Sequence, residues 1–359
     1  MKRIVICCDG TWNAPGDTES GVPIKTNVQK IFESVCNIDE NGILQIKHYI
    51  EGVGTSGSKL RNILDGATGR GIDDNILNAY KFLVWNYVKG DEIYLFGFSR
   101  GAYTARSLAG LVRSCGIIRN DDLNLINEAY SHYRNRDDKD WKPNGEKSID
   151  FRNKYSTEAS VKFIGVWDTV GSLGIPLSLF SLLNSKKYHF HDTTLSSYVD
   201  YAYHALAIDE KRKSFKPTLW LQSKNAINRK VPQVLEQRWF TGVHSNIGGG
   251  YPDSGLSDVS LNWIVQKALG VGLGLDKAYT ETHVNPDLNG KLYNSSVFPF
   301  NLVKASKRII SKFGAYNATL EPAVVKRWNL DESYKPSNLE HIMNNPAELK
   351  AFGITGDGV

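Results

Sequence analysis

The tightest constraint on this chain is the passage from Ile93-Tyr94-Leu95-Phe96 through Gly97-Phe98-Ser99-Arg100-Gly101 into Ala102, Ala105, Ser107, Ala109 and Gly110. An uninterrupted apolar run reads as a strand buried on both faces, and the small residues after it read as a helix. A strand that turns into a helix this abruptly holds its central residue in a strained backbone conformation. Side chains two positions to either side would collide, so Gly97 and Gly101 are physically required there.

The same alternation continues along the chain. Ile4–Cys8, Ile46–Ile50, Val161–Trp167 and Arg238–Val243 read as strands, and 72–88, 102–112 and 261–269 read as helices. The stretch Tyr201-Ala202-Tyr203-His204-Ala205-Leu206 reads as a packed helix. Together these predict an α/β fold of the α/β-hydrolase type: a mostly parallel sheet, helices on both faces, right-handed crossovers and cap insertions. The 359 residues show no internal repeat and no linker, so one domain over 1–359 is expected. Within it, 171–198, around the apolar run Ile175–Leu183, reads as a cap or lid insertion, and about 290–359 as a C-terminal extension.

Composition excludes several classes. A net charge of +5, thinly spread, argues against a nucleic-acid partner. The four cysteines form no CxxC pair, which points to folding in a reducing compartment without disulfides. No apolar stretch is long enough to span a bilayer, and the amino terminus runs straight into a strand rather than a signal peptide. The expectation is a soluble chain made in the cytoplasm, with export by a specialised secretion system as a separate question.

A serine hydroxyl at neutral pH is a poor nucleophile. It needs a base beside it, and the base needs an orienting carboxylate, in the chain order Ser, Asp or Glu, His for this fold. Ser99 is the expected nucleophile; the alternative is a helix cap. Asp168 follows the strand ending in Val166-Trp167, and His244 follows Gly242-Val243 and precedes a glycine-rich loop, so these two are the expected acid and base. His189, His191, His204, His283 and His341 lie in less suitable contexts. The oxyanion donors are expected at the Arg100 backbone N–H and at Gly10 and Thr11, in Asp9-Gly10-Thr11-Trp12-Asn13; the alternative for the latter is a tight turn with Asp9 bonded to its own backbone.

Rival motifs fail on chemistry. Cys7 stands where a phosphatase of the Asp-x-Asp-Gly-Thr type needs its carboxylate nucleophile. Gly52-Val53-Gly54-Thr55-Ser56-Gly57 lacks the spacing of a dinucleotide site. Asp9, His244, Asp253 and Asp258 carry no metal-site spacing. No cofactor and no metal are expected.

Five blocks in order resemble the catalytic domain of type VI secretion lipase effectors, the phospholipase A class. They are Asp9–Asn13, Gly97–Ala102, Gly165–Val170, Ala207–Arg212 and Gly242–Tyr251. The resemblance places Ser99, Asp168 and His244 on the family's triad and implies deacylation of glycerophospholipids. A lipid or acyl-ester substrate follows, with the run Ile175–Leu183 as a lid or acyl-chain wall, or else ordinary core, and with peripheral membrane contact through Lys304, Lys307, Arg308 and Lys312 facing anionic head groups. Two other readings stay open: a soluble carboxylesterase or thioesterase, and a non-catalytic binding protein that kept the fold. The oligomeric state is open.

Overall fold

A strand buried on both faces must satisfy its backbone from neighbouring strands while helices cover it above and below. The computed structural model describes residues 1–10, 13–19, 21–52, 70–119, 121–135, 137–171, 193–296, 305–310 and 318–354. Among these, seven strands form one sheet: β1 (Arg3–Cys8), β2 (Gln45–Ile50), β3 (Glu92–Phe98), β4 (Val161–Trp167), β5 (Val199–Ala207), β6 (Val234–Phe240) and β7 (Ala318–Leu320). Their spatial order is β7-β6-β5-β4-β3-β1-β2, and every pairing is parallel.

The strands alternate their side chains between two cores. Ile4, Ile6 and Cys8 face helices α2 (Arg70–Asn86) and α3 (Arg100–Cys115), whereas Val5 and Cys7 face α1 (Asn27–Ser34) and the later helix α5 (Gly255–Gly270). From β1 the chain steps outward to β2 and then returns to lay β3 on the other side of β1. Strand order therefore reverses between β1 and β3, and the crevice at their carboxyl ends is where open α/β sheets bind ligands. Register aligns those ends: Cys8 lies beside Gly97, and Phe98 beside Trp167.

One expectation needs correction. Residues 201–206 are not a helix but the middle of β5, between β4 and β6. A strand covered on both faces loses its polar alternation, and this alanine-rich one imitates a helix; parallel pairing overrides the local preference. Within the expected C-terminal extension, residues 318–354 join the sheet and its packing. β7 closes the sheet edge, and Leu320, Val324, Val325, Ile342 and Phe352 pack with Leu206 and Trp239 in a third core. The expected cap falls mostly on 172–192, outside the described residues, as do Thr11 and 53–57 of the glycine loop. Among the described residues no helix is long and apolar enough to cross a membrane. All four cysteines are free.

One buried ion pair ties together two helices on one face of the sheet. Lys30 Nζ on α1 lies 2.6 Å from Asp258 Oδ1 on α5, and both side chains are buried. Replacing Lys30 by Met leaves a buried carboxylate without its cation, so unfolding in urea should show a loss of about 3 kcal/mol, most of it recovered in a Lys30→Met/Asp258→Leu double variant.

Candidate active site

Ser99 links β3 to α3 with φ +58° and ψ −119°, a conformation outside the ordinary L-residue regions. The neighbouring glycines make it possible. A Cβ on Gly101 would stand 2.1 Å from the Cys8 carbonyl oxygen, and one on Gly97 would stand 2.5 Å from the Gly101 carbonyl oxygen. The elbow therefore sits directly on the end of β1, and the Ser99 amide donates to the Trp167 carbonyl at 3.0 Å. Arg100 opens α3, so its amide lies at the positive end of that helix. Burial lowers the Arg100 guanidinium to about 10.

Asp168 is the other non-glycine residue at positive φ among those described, at +41°. It is fully buried, and donors meet its carboxylate on every side. Oδ1 accepts from the Ala207 amide at 3.0 Å and from Arg308 Nη1 at 2.5 Å. Oδ2 accepts from Arg308 Nη2 at 2.8 Å and lies 2.6 Å from His244 Nδ1. Burial alone would raise this carboxyl, but the charge of Arg308 and the hydrogen bond to His244 hold it far below the usual carboxylate range. An ionised carboxylate only accepts, so Nδ1 of His244 carries the proton and Nε2 keeps its lone pair.

His244 opens the short helix α4 (His244–Gly248). Its ring is clamped between Phe98, with centroids 4.6 Å apart, and the edge-on ring of Phe215 at 4.9 Å. Its amide donates to Glu210 Oε2 at 3.2 Å. Burial lowers its pKa below the ordinary histidine value and outweighs the opposing pull of Asp168. The glycines after it are needed for packing: a Cβ on Gly248 would stand 2.1 Å from the Phe98 ring, and Gly249, at φ +84°, packs against Thr26 and Asn27 of the α1 terminus. Helix α4 thus lies across the end of β3. Among the described residues no hydrogen bond joins the Ser99 hydroxyl to His244.

The structure thus brings Gly97, Ser99, Arg100, Gly101, Asp168 and His244 to one edge of the sheet. Gly10 is at the same edge, but its amide donates to Asp9 Oδ1 at 2.6 Å, so the turn is of the self-bonded kind and that amide is already engaged. Asp9 also accepts from Thr26 Oγ1 and Tyr49 Oη, each at 2.5 Å, and burial raises it to about 6 against those bonds. Asp258 is paired with Lys30, and Asp253 accepts the Gly255 amide at 3.0 Å. Among the described residues no group of three His, Cys, Asp or Glu side chains converges as metal ligands would.

Several contributors escaped the sequence reading. Glu210 is buried, is brought to about 2 by Arg212 despite its burial, and bonds Ser295 Oγ at 2.9 Å. His204, kept neutral by burial and lowered to about 3, accepts the Thr169 amide at 3.1 Å and so backs the Asp168 turn from β5. Arg308 is the main correction. Expected among lysines facing head groups, it is 7% exposed and points inward to Asp168. Lys307 does lie at the surface, bonded to Ser337, while Lys304 and Lys312 are outside the described residues.

Residues 2–267 match the family described as T6SS, phospholipase effector Tle1-like, catalytic domain, and the chain belongs to that family. An uncharacterized protein of Saccharomyces cerevisiae, YEL023C, is 31% identical over 235 residues, covering 60% of this chain and 32% of the yeast protein. An uncharacterized protein from Pseudomonas aeruginosa of known crystal structure has TM-score 0.50 at 18% identity, over 80% of this chain and 49% of the other. The Tle1 effector bound to the VgrG spike of the type 6 secretion system aligns over 70% of this chain and 52% of its own, at TM-score 0.40 and 20% identity. The chain thus spans about a third to a half of the length of these relatives.

The elbow's dependence on glycine can be measured directly. Gly101→Ala should lower stability by about 2 kcal/mol or more in urea unfolding, because its methyl group meets β1 backbone rather than a side chain that can turn away.

Proposed function

We propose that this chain is a serine hydrolase that deacylates glycerophospholipids, with Ser99 as nucleophile, His244 as general base and Asp168 as the orienting acid. The observation that carries the reading is the buried Asp168–His244 contact at 2.6 Å, set beside a serine in a strained elbow. Membership of a phospholipase effector family supports the lipid substrate.

In this mechanism the Ser99 hydroxyl and His244 Nε2 are within hydrogen-bond reach around bound substrate. Nε2 takes the hydroxyl proton while the oxygen attacks the ester carbonyl. Asp168 stabilises the imidazolium that forms and remains ionised itself. The carbonyl oxygen gains negative charge beside the Arg100 amide at the head of α3. His244 returns the proton to the departing lysophospholipid alcohol. Water, activated by the same imidazole, then releases the fatty acid from the serine ester. If the Gly10 amide is the second donor it must leave Asp9 Oδ1, so this part of the reaction centre would assemble only around substrate.

The test is hydrolysis of mixed phosphatidylcholine and phosphatidylglycerol vesicles, with products identified by mass spectrometry. The wild-type chain should release fatty acid and lysophospholipid, and Ser99→Ala should lower the rate by about a thousandfold or more. Full activity in Ser99→Ala would reject the mechanism; activity on short soluble esters without any on vesicles would reject the phospholipid assignment.

The pH profile carries its own sign. His244 works as a base only when neutral, and burial places its pKa below the ordinary value near 6.5. The rise of kcat/KM with pH should therefore be centred below pH 6.5, and an ascending limb centred above about pH 7 would contradict this account of the base.

A further inference from the structure

We propose that Arg308, in a strap lying beyond the family-matched residues, is a positioning residue that locks the Asp168 carboxylate in the plane from which it orients His244. The proposal rests on the reading of Ser99, His244 and Asp168 as the reacting set.

The strap is anchored at several points. The Ser306 amide donates to the Lys211 carbonyl at 2.8 Å, and Asn338 Nδ2 donates to the Arg308 carbonyl at 3.3 Å. Ile310 enters the third core, while Ile309 is 86% exposed. Arg308, just before them and on the same inward side as Ile310, is buried. Its guanidinium makes four hydrogen bonds: Nη1 to Asp168 Oδ1 at 2.5 Å and to the Ala207 carbonyl at 2.7 Å, Nη2 to Asp168 Oδ2 at 2.8 Å and to the Phe215 carbonyl at 2.7 Å. The planar fork therefore grips both carboxylate oxygens and is itself held by two carbonyls.

The grip has a geometric consequence. With only His244 and the Ala207 amide as partners, the carboxylate could pivot about its last bond and carry Oδ2 away from Nδ1. A second partner on each oxygen removes that freedom. Stability alone is a poor reason for the arrangement, because burying two charges costs much of what their attraction returns. The Phe215 carbonyl also ties the strap to the segment whose aromatic ring closes one side of His244. One arginine thus aligns both the acid and the wall of the base.

There is an electrostatic consequence as well. The charged groups facing His244 are Asp168 at the end of β4, Glu210 and Arg212 after β5, and Arg308 through its contact with Asp168. Arg308 offsets the carboxylate's attraction for an imidazolium, which keeps His244 neutral to lower pH. Removing that positive charge should move the ascending limb to higher pH.

Two variants in the full chain test this. Arg308→Gln removes charge and fork; Arg308→Lys keeps a charge but loses the two-pronged grip. Each is assayed on a soluble aryl ester from about pH 4.5 to about pH 8, and the His244 ring nitrogens are titrated by NMR with labelled histidine. Arg308→Gln should lower kcat by about tenfold or more, leave KM within about twofold, and raise the His244 midpoint by about half a pH unit or more. Arg308→Lys should keep the midpoint near wild type without restoring kcat. An unchanged midpoint and kcat in Arg308→Gln overturns the proposal, as does a lysine variant with full kcat; the latter decides alone if the glutamine variant does not fold. Hydrolysis persisting in Ser99→Ala is a separate failure, of the nucleophile assignment, and the NMR midpoints still report on Arg308 in that event.

Discussion

Every part of the site refers back to one buried carboxylate. Asp168 has no exposure to water, and a carboxylate so placed is tolerable only if protein donors replace its hydration. Four donors do so, from β5, from His244 and from Arg308. Once its charge is secured, the tautomer of His244 is fixed, and with it the nitrogen available for proton transfer. The sheet exists, in this sense, to bring three strand ends together around that charge.

The strain at the site is placed where the packing can sustain it. Ser99 and Asp168 both sit at positive φ, at the ends of adjacent strands, and each such residue costs on the order of 1–3 kcal/mol. The Ser99 amide donates to Trp167, and the Asp168 amide donates to Ala205 at 2.8 Å, so each turn is pinned to a neighbouring strand end. Phe98 and Trp167, paired in register, are buried beneath the two turns. A rigid sheet edge thus carries Ser99, Asp168 and His244, while the amide of the Asp9–Gly10 turn beside it is bonded within that turn.

Much of this was legible in the sequence. The elbow could be read because a strained strand-to-helix turn leaves glycine little alternative at 97 and 101. That Asp168 and His244 would come to the same sheet edge could be read because both follow buried strands, and the two side chains meet at 2.6 Å. β5 could not, since a strand covered on both faces has no alternation to display. Arg308 escaped for a related reason: among lysines and isoleucines it looks like one more cation on an amphipathic surface segment, and only the path of the strap shows that this position turns inward. At Gly10 the sequence left two readings open, and the structure shows the turn in which the Asp9 carboxylate takes the Gly10 amide.

The central claim is that His244, held by Asp168, makes the Ser99 oxygen reactive. The most direct measurement is the rate at which an uncharged fluorophosphonate modifies the chain, followed by intact mass from about pH 4.5 to about pH 8. The account predicts a single adduct on Ser99, a rate that rises through one ionisation below the ordinary histidine value, and near-complete loss of labelling in His244→Ala. An adduct elsewhere, or Ser99 labelling at an undiminished rate without His244, would contradict it.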